Sequence, residues 1–394
     1  MRKAVLVVGY YIDCPQEAYA LRARSLRKDL IPSVLTLCLR MKVIGVTRGD
    51  DGPQLLERER PSPDPGEALV RTLRVGVDGT DHEVLNGSHG GFPDGADHMV
   101  LGHEAVGVVE EPNGTGLEAG QVVAPTVRRK PNGETNGYFR RGEPDMAPDG
   151  EYTERGIVGD HGFMAEYFTS PADFLVPVPD SVAEYGFLVE PLSITEKANE
   201  HAYATREPFD WRPESACVLG NGSLGLLTLW LLAREYDRTY CVGRRDRPDP
   251  TVDIIDEIGS TYVDSRETPV DELPAQYEAM DYICEATGFA PHAFQTVKAL
   301  DHNGVGVLLG IPEPWEFEVD GGSLHNEIVL HNKCLIGTVN SHVSHFEDAV
   351  ETLQDLPEWL LDDLVTTVTD PEHVGAAFED GDDQIKAVVE FDSL

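Results

Sequence analysis

The sequence predicts an α/β protein of two parts, a β-rich barrel-like domain followed by a doubly wound parallel sheet. Three observations support this: a length of 394 residues, a first half rich in short strand-like runs, and a second half in which strand-like and helix-like segments alternate. A chain of this length usually forms about two domains, each able to bury its own core. Alternating strands and helices are typical of a parallel sheet.

Residues 41 to about 195 contain short apolar runs separated by many glycines and prolines, which interrupt strands and mark turns. The predicted strands lie in KVIGV, ALVRTLRV, GVVEE, QVVAPTV and FLVPVP. We therefore expect a β-rich catalytic domain over residues 41–195.

From about residue 212 the pattern alternates. Strands are predicted in SACVLG, TYCVGR, YICEATG and GVGVLLG, with helices between them in SLGLLTLWLLAREY, TVDIIDEIG and HAFQTVKAL. This βαβ repetition predicts a nucleotide-binding parallel sheet over residues 196–330. The tail, residues 331–394, contains a predicted helix in HFEDAVETLQDLPEWLLDDLV and a predicted strand in IKAVVEF, and we expect it to return to the first domain.

Residues 1–40 differ from the rest in charge. They carry seven basic and three acidic residues, a net of +4, whereas the whole chain has a formal net charge of −39. A basic leader can be a targeting segment, but the apolar run AVLVVGYYI is short and no A-x-A cleavage site follows it. Because Met41 opens the strand pattern MKVIGVTR, we expect residues 1–40 to be disordered or to be absent from the native protein.

The acidic composition limits the expected partners. The chain has 70 acidic residues against 31 basic ones, spread along its length. Such a surface repels nucleic acid and anionic lipid, and no run approaches the roughly 18 apolar residues of a membrane-spanning helix. We therefore expect no nucleic-acid or membrane partner and a surface suited to high salt, with an ordinary acidic protein as the alternative.

Cysteine spacing adds a prediction about location. None of the six cysteines forms a C-x-x-C pair, so neither a disulfide framework nor a cysteine zinc knuckle is indicated. The sequence therefore predicts an intracellular, cytoplasmic protein.

A glycine-rich motif follows the first strand of the alternating region and opens an apolar helix, which is the context that a dinucleotide site requires. Its glycines let the backbone approach a pyrophosphate, while the helix N-terminus supplies free N–H groups and a positive dipole. We predict that the cofactor binds at Gly220, Asn221, Gly222, Ser223, Leu224 and Gly225.

The end of the next strand predicts which dinucleotide binds. TYCV is followed by Gly243, Arg244 and Arg245, where an NAD site usually has Asp or Glu for the ribose 2′-hydroxyl. Arginines bind a 2′-phosphate instead. The sequence therefore predicts NADP, bound by Arg244 and Arg245, and the neighbouring Asp246 leaves NAD as an alternative.

Three potential metal ligands lie at the ends of apolar segments or within them. Asp78 follows ALVRTLRVGV, His103 lies in VLGHEAVGVV and Glu190 lies in FLVEPLS. Asp, His and Glu all bind zinc, and three protein ligands with an open position is the pattern of a catalytic site. Each residue alone is more often structural. Asp78 in particular lies in DGTDHE, where Asp and Thr are also ordinary turn and cap residues.

The segments GHEAVGVV, HGFMAEYF, FLVEPLS and GNGSLG occur in an order that resembles zinc-dependent medium-chain dehydrogenases, and the resemblance covers residues 41–394. FLVEPLS is similar to the polyol branch, while VGVDGTDHE, GRRDRPDPT and VNSH are most similar to glucose dehydrogenases of halophilic archaea. The resemblance implies a GroES-like catalytic domain, a Rossmann domain and a homo-oligomer, dimer or tetramer. It also implies oxidation of a sugar at C1 with hydride transfer to NADP.

The sequence departs from this family in two ways. The family usually has Cys-x-Ser/Thr at the first ligand, whereas Asp78 stands here two residues before Thr80. An oxygen ligand is harder than a thiolate and should hold zinc less tightly. Between Val127 and Asp149 the family often has four cysteines and this chain has none, so we expect one catalytic zinc and no structural zinc.

The resemblance also implies residue roles. Asp78, His103 and Glu190 would bind zinc, with Glu104 as a fourth ligand, direct or through water. Thr80 would accept or relay the substrate proton towards His82. The sugar would contact Thr80, Glu154, Glu190 and Asn340, and Asn340 would also lie near the nicotinamide.

Two alternatives remain from the sequence. Another polyol or secondary-alcohol dehydrogenase is the nearer one. A catalytically silent nucleotide-binding relative is the other, although its mark would be broken ligands or a broken glycine motif, and neither is broken here. His342 and His345 in SHVSHF resemble a second metal pair, but we interpret them as solvated histidines near the domain junction.

Overall fold

The structure, a computed structural model, describes residues 5–7, 10–12 and 40–394, except residues 51, 132–134, 380 and 382. The predicted extension, residues 1–40, therefore lies almost wholly outside the described residues. Within it, Val5–Val7 pairs antiparallel with Tyr10–Ile12. No helix in the described part of the chain is both long and apolar enough to cross a membrane.

The described chain contains strands of two to eleven residues and helices of four to sixteen residues. In chain order the strands are β1 (Val5–Val7), β2 (Tyr10–Ile12), β3 (Arg40–Thr47), β4 (Gln54–Glu59), β5 (Glu67–Val77), β6 (His98–Val100), β7 (Glu104–Glu111), β8 (Val122–Pro125), β9 (Arg128–Arg129), β10 (Thr153–Arg155), β11 (Gly159–Asp160), β12 (Tyr167–Pro171), β13 (Leu175–Pro177), β14 (Ser215–Leu219), β15 (Arg238–Gly243), β16 (Thr261–Asp264), β17 (Met280–Glu285), β18 (Leu300–Leu308), β19 (Cys334–Gly337), β20 (Val365–Thr369) and β21 (Lys386–Glu390). The α-helices are α1 (Gly79–Asn86), α2 (Gly137–Arg141), α3 (Val189–Ala204), α4 (Ser223–Ala233), α5 (Pro250–Ile258), α6 (Leu273–Gln276), α7 (Ala290–Ala299), α8 (Gly321–Leu330), α9 (Val343–Asp355) and α10 (Glu358–Leu364).

The first half is built around a seven-stranded sheet in the order β13–β8–β7–β5–β21–β20, with β12 also paired to β5. Its pairs are antiparallel except for β20 and β21. Eight of the eleven residues of β5 are buried, because elements cover both faces of this central strand. The last strand, β21, comes from the end of the chain, so the C-terminal segment pairs with the first-half sheet.

The second half is a six-stranded parallel sheet in the order β16–β15–β14–β17–β18–β19. Helices α4, α5 and α7 connect successive strands, which confirms the predicted βαβ repetition. The strand β14 lies between β15 and β17, so the chain runs outward from it in both directions. Ligands bind at the carboxyl ends of strands beside such a switch point.

One apolar core joins the two halves. It contains Val106 and Phe187 from the first half, Val218 and Leu226 from the parallel-sheet half, and Phe346 of α9, all of them fully buried. This continuous packing fixes the cleft between the two sheets, because a close-packed interior resists relative movement of its parts.

The structure corrects one sequence prediction and adds an unexpected strand to the parallel sheet. The tail segment predicted as one helix is two, α9 and α10, because Pro357 cannot donate the N–H that a continuous helix needs, and Val365 then begins an unpredicted strand, β20. The strand β19 lies in the parallel sheet although we placed the end of that domain at residue 330, since the short run CLIG carries little periodic signal. As divisions of the chain, 41–195, 196–330 and 331–394 stay a prediction.

Candidate active site

Asp78 lies immediately after β5 and caps α1. Its Oδ1 accepts a hydrogen bond from the Asp81 N–H (3.1 Å), and the Asp81 carboxylate accepts one from the Asp78 N–H (3.2 Å). This reciprocal capping satisfies free N–H groups at the start of the helix. The second oxygen, Oδ2, lies 3.6 Å from His103 Nε2. Asp78 is therefore both a helix cap and a potential metal ligand, because its two oxygens face different partners.

The predicted ligands His103 and Glu190 lie in the same cluster. His103 stands directly before β7, and Glu190 lies in the first turn of α3. Ligand atoms of His103, Glu104 and Glu190 lie within 4.8 Å of one another, and so do those of Asp78, Asp81 and His103. His103 is common to both groups. Its Nδ1 has no hydrogen-bond partner among the described residues, although the atom is buried.

Burial, and to a smaller extent mutual repulsion, shift the pKa values of these carboxylates. Burial, with Glu104 and Asp78 nearby, raises the pKa of Glu190 to about 8 against the opposing effect of His103. Burial raises the pKa of Asp81 to about 7. Burial also disfavours the charge on Asp78, but the adjacent His103 outweighs it and holds the Asp78 pKa well below its usual range.

A divalent cation would relieve this repulsion, because metal ligands bind in their deprotonated forms. Carboxylate oxygens and an imidazole nitrogen are also the donors that zinc accepts. His103 Nε2, which lies 3.6 Å from Asp78 Oδ2, and the crowded carboxylates therefore fit a metal ion at this cluster.

Glu104, the expected fourth ligand, already has a partner. Its Oε2 forms a close ion pair with the ammonium group of Lys386 on β21, and neither side chain is more than 2% exposed. Gly76 leaves room for this pair, since a Cβ there would meet Glu104 Oε2. Sequence analysis missed Lys386, although a lysine in the apolar run IKAVVEF was a signal. Coordination by Glu104 stays a prediction.

Asp81 was also missed. It is almost fully buried and accepts a hydrogen bond from the Gly102 N–H (3.0 Å) in addition to that from Asp78. It therefore ties the start of α1 to the residue before His103. The pattern D-G-T-D, an acid at the cap and another three residues later, was the available signal.

Thr80 and His82 both line the cavity described below but have different neighbours. The Thr80 hydroxyl donates to Asp78 Oδ2 (3.2 Å), which places it at the metal cluster. The His82 ring instead contacts the Phe378 ring, with centroids 5.4 Å apart. Within the described residues no hydrogen bond joins Thr80 to His82. The predicted proton relay between them therefore stays a prediction.

A cavity of about 760 Å³ connects the metal cluster with the glycine-rich turn. It brings together most residues predicted from the sequence, whereas Gly220, Asn221 and Arg244 are not among those that line it. The predicted residues that line it are Asp78, Thr80, His82, His103, Glu104, Glu154, Glu190, Gly222, Ser223, Leu224, Gly225, Arg245 and Asn340.

The glycine-rich turn lies at the end of β14. Gly220 has a φ of 113°, a conformation that residues with a side chain rarely adopt, and a Cβ at Gly225 would meet the Gly220 carbonyl. The Asn221 amide donates to Thr251 Oγ1 (2.5 Å) and ties the turn to α5. The start of α4 therefore opens onto the cavity with free N–H groups suited to a pyrophosphate.

The two predicted arginines are not equivalent. Arg245 lines the cavity and its Nε lies 3.8 Å from Asp249, whereas Arg244 is exposed. Asp246, which left NAD as an alternative, pairs with Arg266 at 2.7 Å. The carboxylate next to the arginines is thus already engaged, and this geometry favours a 2′-phosphate at Arg245.

The predicted sugar contacts Glu154 and Asn340 meet directly. The Asn340 amide donates to Glu154 Oε1 (3.2 Å), and Arg128 Nε donates to the same oxygen (2.9 Å). All three side chains are buried. Sequence analysis missed Arg128, for which the charged pair ending QVVAPTVRR was the only signal.

His342 and His345 are not the solvated pair that we expected. His345 is buried where α9 packs on α3, its Nδ1 accepts from the His342 N–H (3.3 Å), and its Nε2 lies 2.6 Å from Glu200. Asp145 is close enough to join them around a cation, but it pairs with Lys197 at 2.6 Å. Because both His345 nitrogens and the Asp145 carboxylate already have partners, these three residues are not free to bind a metal ion together.

Comparison with known proteins agrees with this geometry. The family described as glucose dehydrogenase C-terminus matches residues 183–391, and the alcohol dehydrogenase GroES-like domain matches residues 64–180. Glucose 1-dehydrogenase of Haloarcula marismortui is 96% identical over 354 residues, which cover 90% of this chain and all of that protein. The enzyme of the same name from Halobacterium salinarum is 57% identical over 356 residues, again 90% of this chain and all of that protein.

A solved structure shows the same fold. Haloferax mediterranei glucose dehydrogenase, in complex with NADP, zinc and gluconolactone, superposes with a TM-score of 0.89 at 63% identity. The match covers 90% of this chain and all of that one. The family matches and these relatives bear out the resemblance inferred from GHEAVGVV, FLVEPLS and GNGSLG, so this chain belongs to the glucose 1-dehydrogenase family of zinc-dependent medium-chain dehydrogenases.

Proposed function

We propose that this chain oxidises D-glucose at C1 to the aldonolactone and passes the hydride to NADP⁺, with related aldoses such as galactose as further substrates. The observation that carries the proposal is that Asp78, His103 and Glu190 meet in one cavity with the glycine-rich turn. Candidate metal ligands and a candidate dinucleotide site on the same cavity support a substrate alcohol bound between the two. The relatives, all named glucose 1-dehydrogenase, supply the substrate class.

One zinc ion is proposed, bound by Asp78, His103 and Glu190, with Glu104 available as a fourth ligand if it leaves Lys386. When bound, zinc supplies Lewis-acid polarisation of the C1 hydroxyl. His103, Glu104 and Glu190 are all buried. Burial of charged groups strengthens the electrostatic contacts on which the reaction depends.

Thr80 is proposed to move the proton. Its hydroxyl, which donates to Asp78 Oδ2 in this structure, would accept the proton released at the C1 hydroxyl and give its own onward towards His82. His82 lines the same cavity and is partly exposed, which supports its role as the next proton acceptor.

The turn Gly220 to Gly225 is proposed to hold the pyrophosphate, and Arg245 the 2′-phosphate, with Arg244 as an outer cation. When bound, NADP⁺ supplies the hydride acceptor. Asn340, which lines the cavity with a φ of 56°, is proposed to lie beside the nicotinamide.

Glu154, Glu190 and Asn340 are proposed to bind the sugar hydroxyls. Their polar groups line the cavity and are otherwise buried. A buried acceptor left without its partner hydroxyl is costly, so such a site rejects analogues that lack the hydroxyl.

A homo-oligomer is proposed from an exposed apolar surface. This surface lies on α8, on the loop before it and on neighbouring aromatic residues, and we call it the apolar patch. It contains Phe289, Phe294, Ile311, Trp315, Val319, Ile328, Val329 and Leu330. Within this set the Phe289 and Trp315 rings contact each other, and grouped exposed apolar side chains support an interaction site. A second copy of the chain is the proposed occupant, and light scattering of Leu330→Asp against the unchanged protein tests it. A cytoplasmic location is proposed with it.

The function is tested by a substrate screen with metal analysis. Glucose, galactose, sorbitol, threonine and ethanol are each offered with NADP⁺ and with NAD⁺, and the zinc content of the same preparation is measured. Glucose turnover with NADP⁺ at about one zinc per chain is the expected result. Sorbitol or a secondary alcohol as the preferred substrate would establish the rival dehydrogenase, and no turnover with any of them would establish a silent relative.

A further inference from the structure

A closed ring of buried polar contacts joins two of the proposed sugar-binding residues, Glu154 and Asn340, to both halves of the fold. The ring begins at Arg128 on β9, which lies opposite Glu154 on β10 in an antiparallel pair. Arg128 Nε donates to Glu154 Oε1 at 2.9 Å, with side chains only 4% and 9% exposed. The guanidinium also lies over the Tyr152 ring, 3.7 Å from its centroid. Arg128 therefore fixes Glu154 in one orientation.

The second link crosses to the parallel-sheet side. Asn340 follows β19 and donates from Nδ2 to the same Glu154 oxygen at 3.2 Å. Its left-handed φ of 56°, which asparagine adopts more readily than other residues with a side chain, has support from its surroundings. Two side chains of α3 supply that support: Lys197 donates to the Val339 carbonyl (2.9 Å), and the Ser193 hydroxyl lies 2.6 Å from that of Ser341.

The ring closes through Asp145. Lys197 Nζ pairs with Asp145 Oδ2 at 2.6 Å, and neither side chain is more than 2% exposed. The Asp145 carbonyl in turn accepts a hydrogen bond from Arg128 Nη1 at 2.6 Å. Two cations and two carboxylates thus form a neutral ring that runs through β9, β10, α3 and the loop after β19.

Stability alone does not account for this ring. Removing two ion pairs from water costs about as much as their attraction returns, and apolar replacements are often as stable. What buried ion pairs do provide is a fixed arrangement, since each partner has one favourable position. Glu154 lines the cavity, and its Oε1 accepts from two donors, whereas within the described residues no hydrogen bond is formed to its Oε2.

We propose that Arg128 and Lys197 are positioning residues for the sugar: they aim Glu154 Oε2 at a substrate hydroxyl and keep Asn340 in register with it across the two halves of the fold. This rests on the proposed function, in which Glu154 and Asn340 bind the sugar. Neither Arg128 nor Lys197 touches the metal cluster, so their effect should fall on sugar recognition and not on zinc binding.

The first experiment compares matched substitutions. Arg128→Lys keeps the charge but loses the planar guanidinium group. Its control is Arg129→Lys, because Arg129 is also buried but contacts Thr126 and Ser170. Lys197→Met is matched by Lys333→Met, because Lys333 also pairs with one carbonyl and one carboxylate, away from the site. If Lys197→Met does not fold, the double variant Lys197→Met with Asp145→Leu, which removes both charges, is tested in its place.

We expect Arg128→Lys and Lys197→Met to lower kcat/KM for glucose by about tenfold to hundredfold, as misplaced substrate contacts do. Zinc content and affinity for 2′,5′-ADP should stay unchanged in both. The two control variants should lower the unfolding temperature without changing kcat/KM. Equal losses of kcat/KM in the test and control variants would overturn the proposal, because the ring would then act only through stability.

The second experiment is a double-mutant cycle between Arg128→Lys and Glu154→Gln. If Arg128 acts through Glu154, the double variant should lose no more kcat/KM for glucose than Glu154→Gln alone. Additive losses would mean that Arg128 acts independently of Glu154, and the proposal would fail. Glucose turnover by the unchanged protein tests the proposed function separately. If another sugar is the substrate, the same cycle is run on that sugar.

Discussion

Glu104 and Lys386 form an ion pair beside the metal cluster in which neither side chain is more than 2% exposed. The pair joins β7 to β21, the strand that the end of the chain adds to the first-half sheet. Lys386→Met would leave Glu104 as an uncompensated buried charge, which costs about 3–5 kcal/mol of unfolding free energy. Urea unfolding measures this loss. Replacing both residues, in Lys386→Met with Glu104→Leu, should recover much of it, and a double variant no more stable than Lys386→Met would contradict this account.

The same pair predicts that Glu104 is not needed to hold zinc. Glu104→Gln keeps a group that can accept from Lys386 and leaves Asp78, His103 and Glu190 in place, so the variant should retain about one zinc per chain. His103→Ala, which removes a ligand common to both groups of the cluster, should lose the metal. Elemental analysis after dialysis distinguishes them. Loss of zinc from Glu104→Gln to the same extent would show that Glu104 coordinates directly.

Cofactor preference should depend on Arg245 more than on Arg244. Only Arg245 lines the cavity, while Arg244 is exposed. Losing a hydrogen bond to a charged phosphate costs about 1.5–3 kcal/mol, so Arg245→Ala should raise the KM for NADP⁺ by roughly tenfold to hundredfold. The KM for NAD⁺, which has no 2′-phosphate, should change little. Steady-state kinetics with both cofactors test this, and equal effects on the two would remove the 2′-phosphate from Arg245.

The sequence was sufficient to predict many of the elements and to single out candidate ligands, because both leave local signals. The strand β14 and helix α4 have the composition and glycine motif of a dinucleotide site, and Asp78, His103 and Glu190 are polar residues in apolar surroundings. Such signals can be recognised in one segment of the sequence without knowledge of what it contacts.

The remainder of the site depends on contacts between distant segments. Lys386, Arg128 and Lys197 each look like an isolated cation in the sequence, and only the fold shows that their partners are Glu104, Glu154 and Asp145. The sequence therefore predicts which residues could react but not which residues hold them in place.

The described structure also predicts a pH effect on stability at His161. Burial, with Arg58 nearby, lowers the pKa of His161 to about 3 from an ordinary value of 6.5. Its Nδ1 accepts a hydrogen bond from the Val100 N–H (3.2 Å), which requires the neutral ring. Between these two pH values the unfolded chain binds a proton that the folded chain does not, so stability should fall as the pH falls below 6.5.

His161→Asn tests this pH effect, because an amide oxygen can accept from Val100 without titrating. The urea midpoint of unfolding is measured at about pH 7 and about pH 5, within the pH range in which proteins are usually stable. The difference between the two midpoints should be smaller in the variant than in the unchanged protein. Equal pH dependence in the two proteins would mean that His161 is protonated in the folded state.

The double role of Asp78 leads to the sharpest prediction, because three substitutions separate its two functions. Asn is a good helix cap but a neutral one, so Asp78→Asn should lose zinc yet unfold at the same temperature as the metal-free unchanged protein. Asp78→Ala removes both the ligand and the cap, and should lose zinc together with about 1 kcal/mol of unfolding free energy. Affinity for 2′,5′-ADP should survive in both variants, since the glycine-rich turn belongs to the other sheet.

Asp78→Cys should reverse the pattern seen with Asp78→Asn. A thiolate is a softer donor than a carboxylate and suits zinc, a borderline-soft ion, so the variant should retain zinc against a chelator for longer than the unchanged protein. It cannot replace the carboxylate cap, so its stability without metal should match that of Asp78→Ala. Chelator titration followed by thermal unfolding of the metal-free forms measures both properties. Full zinc occupancy in Asp78→Ala, with unchanged chelator sensitivity, would show that another residue completes the site and that Asp78 is a helix cap alone.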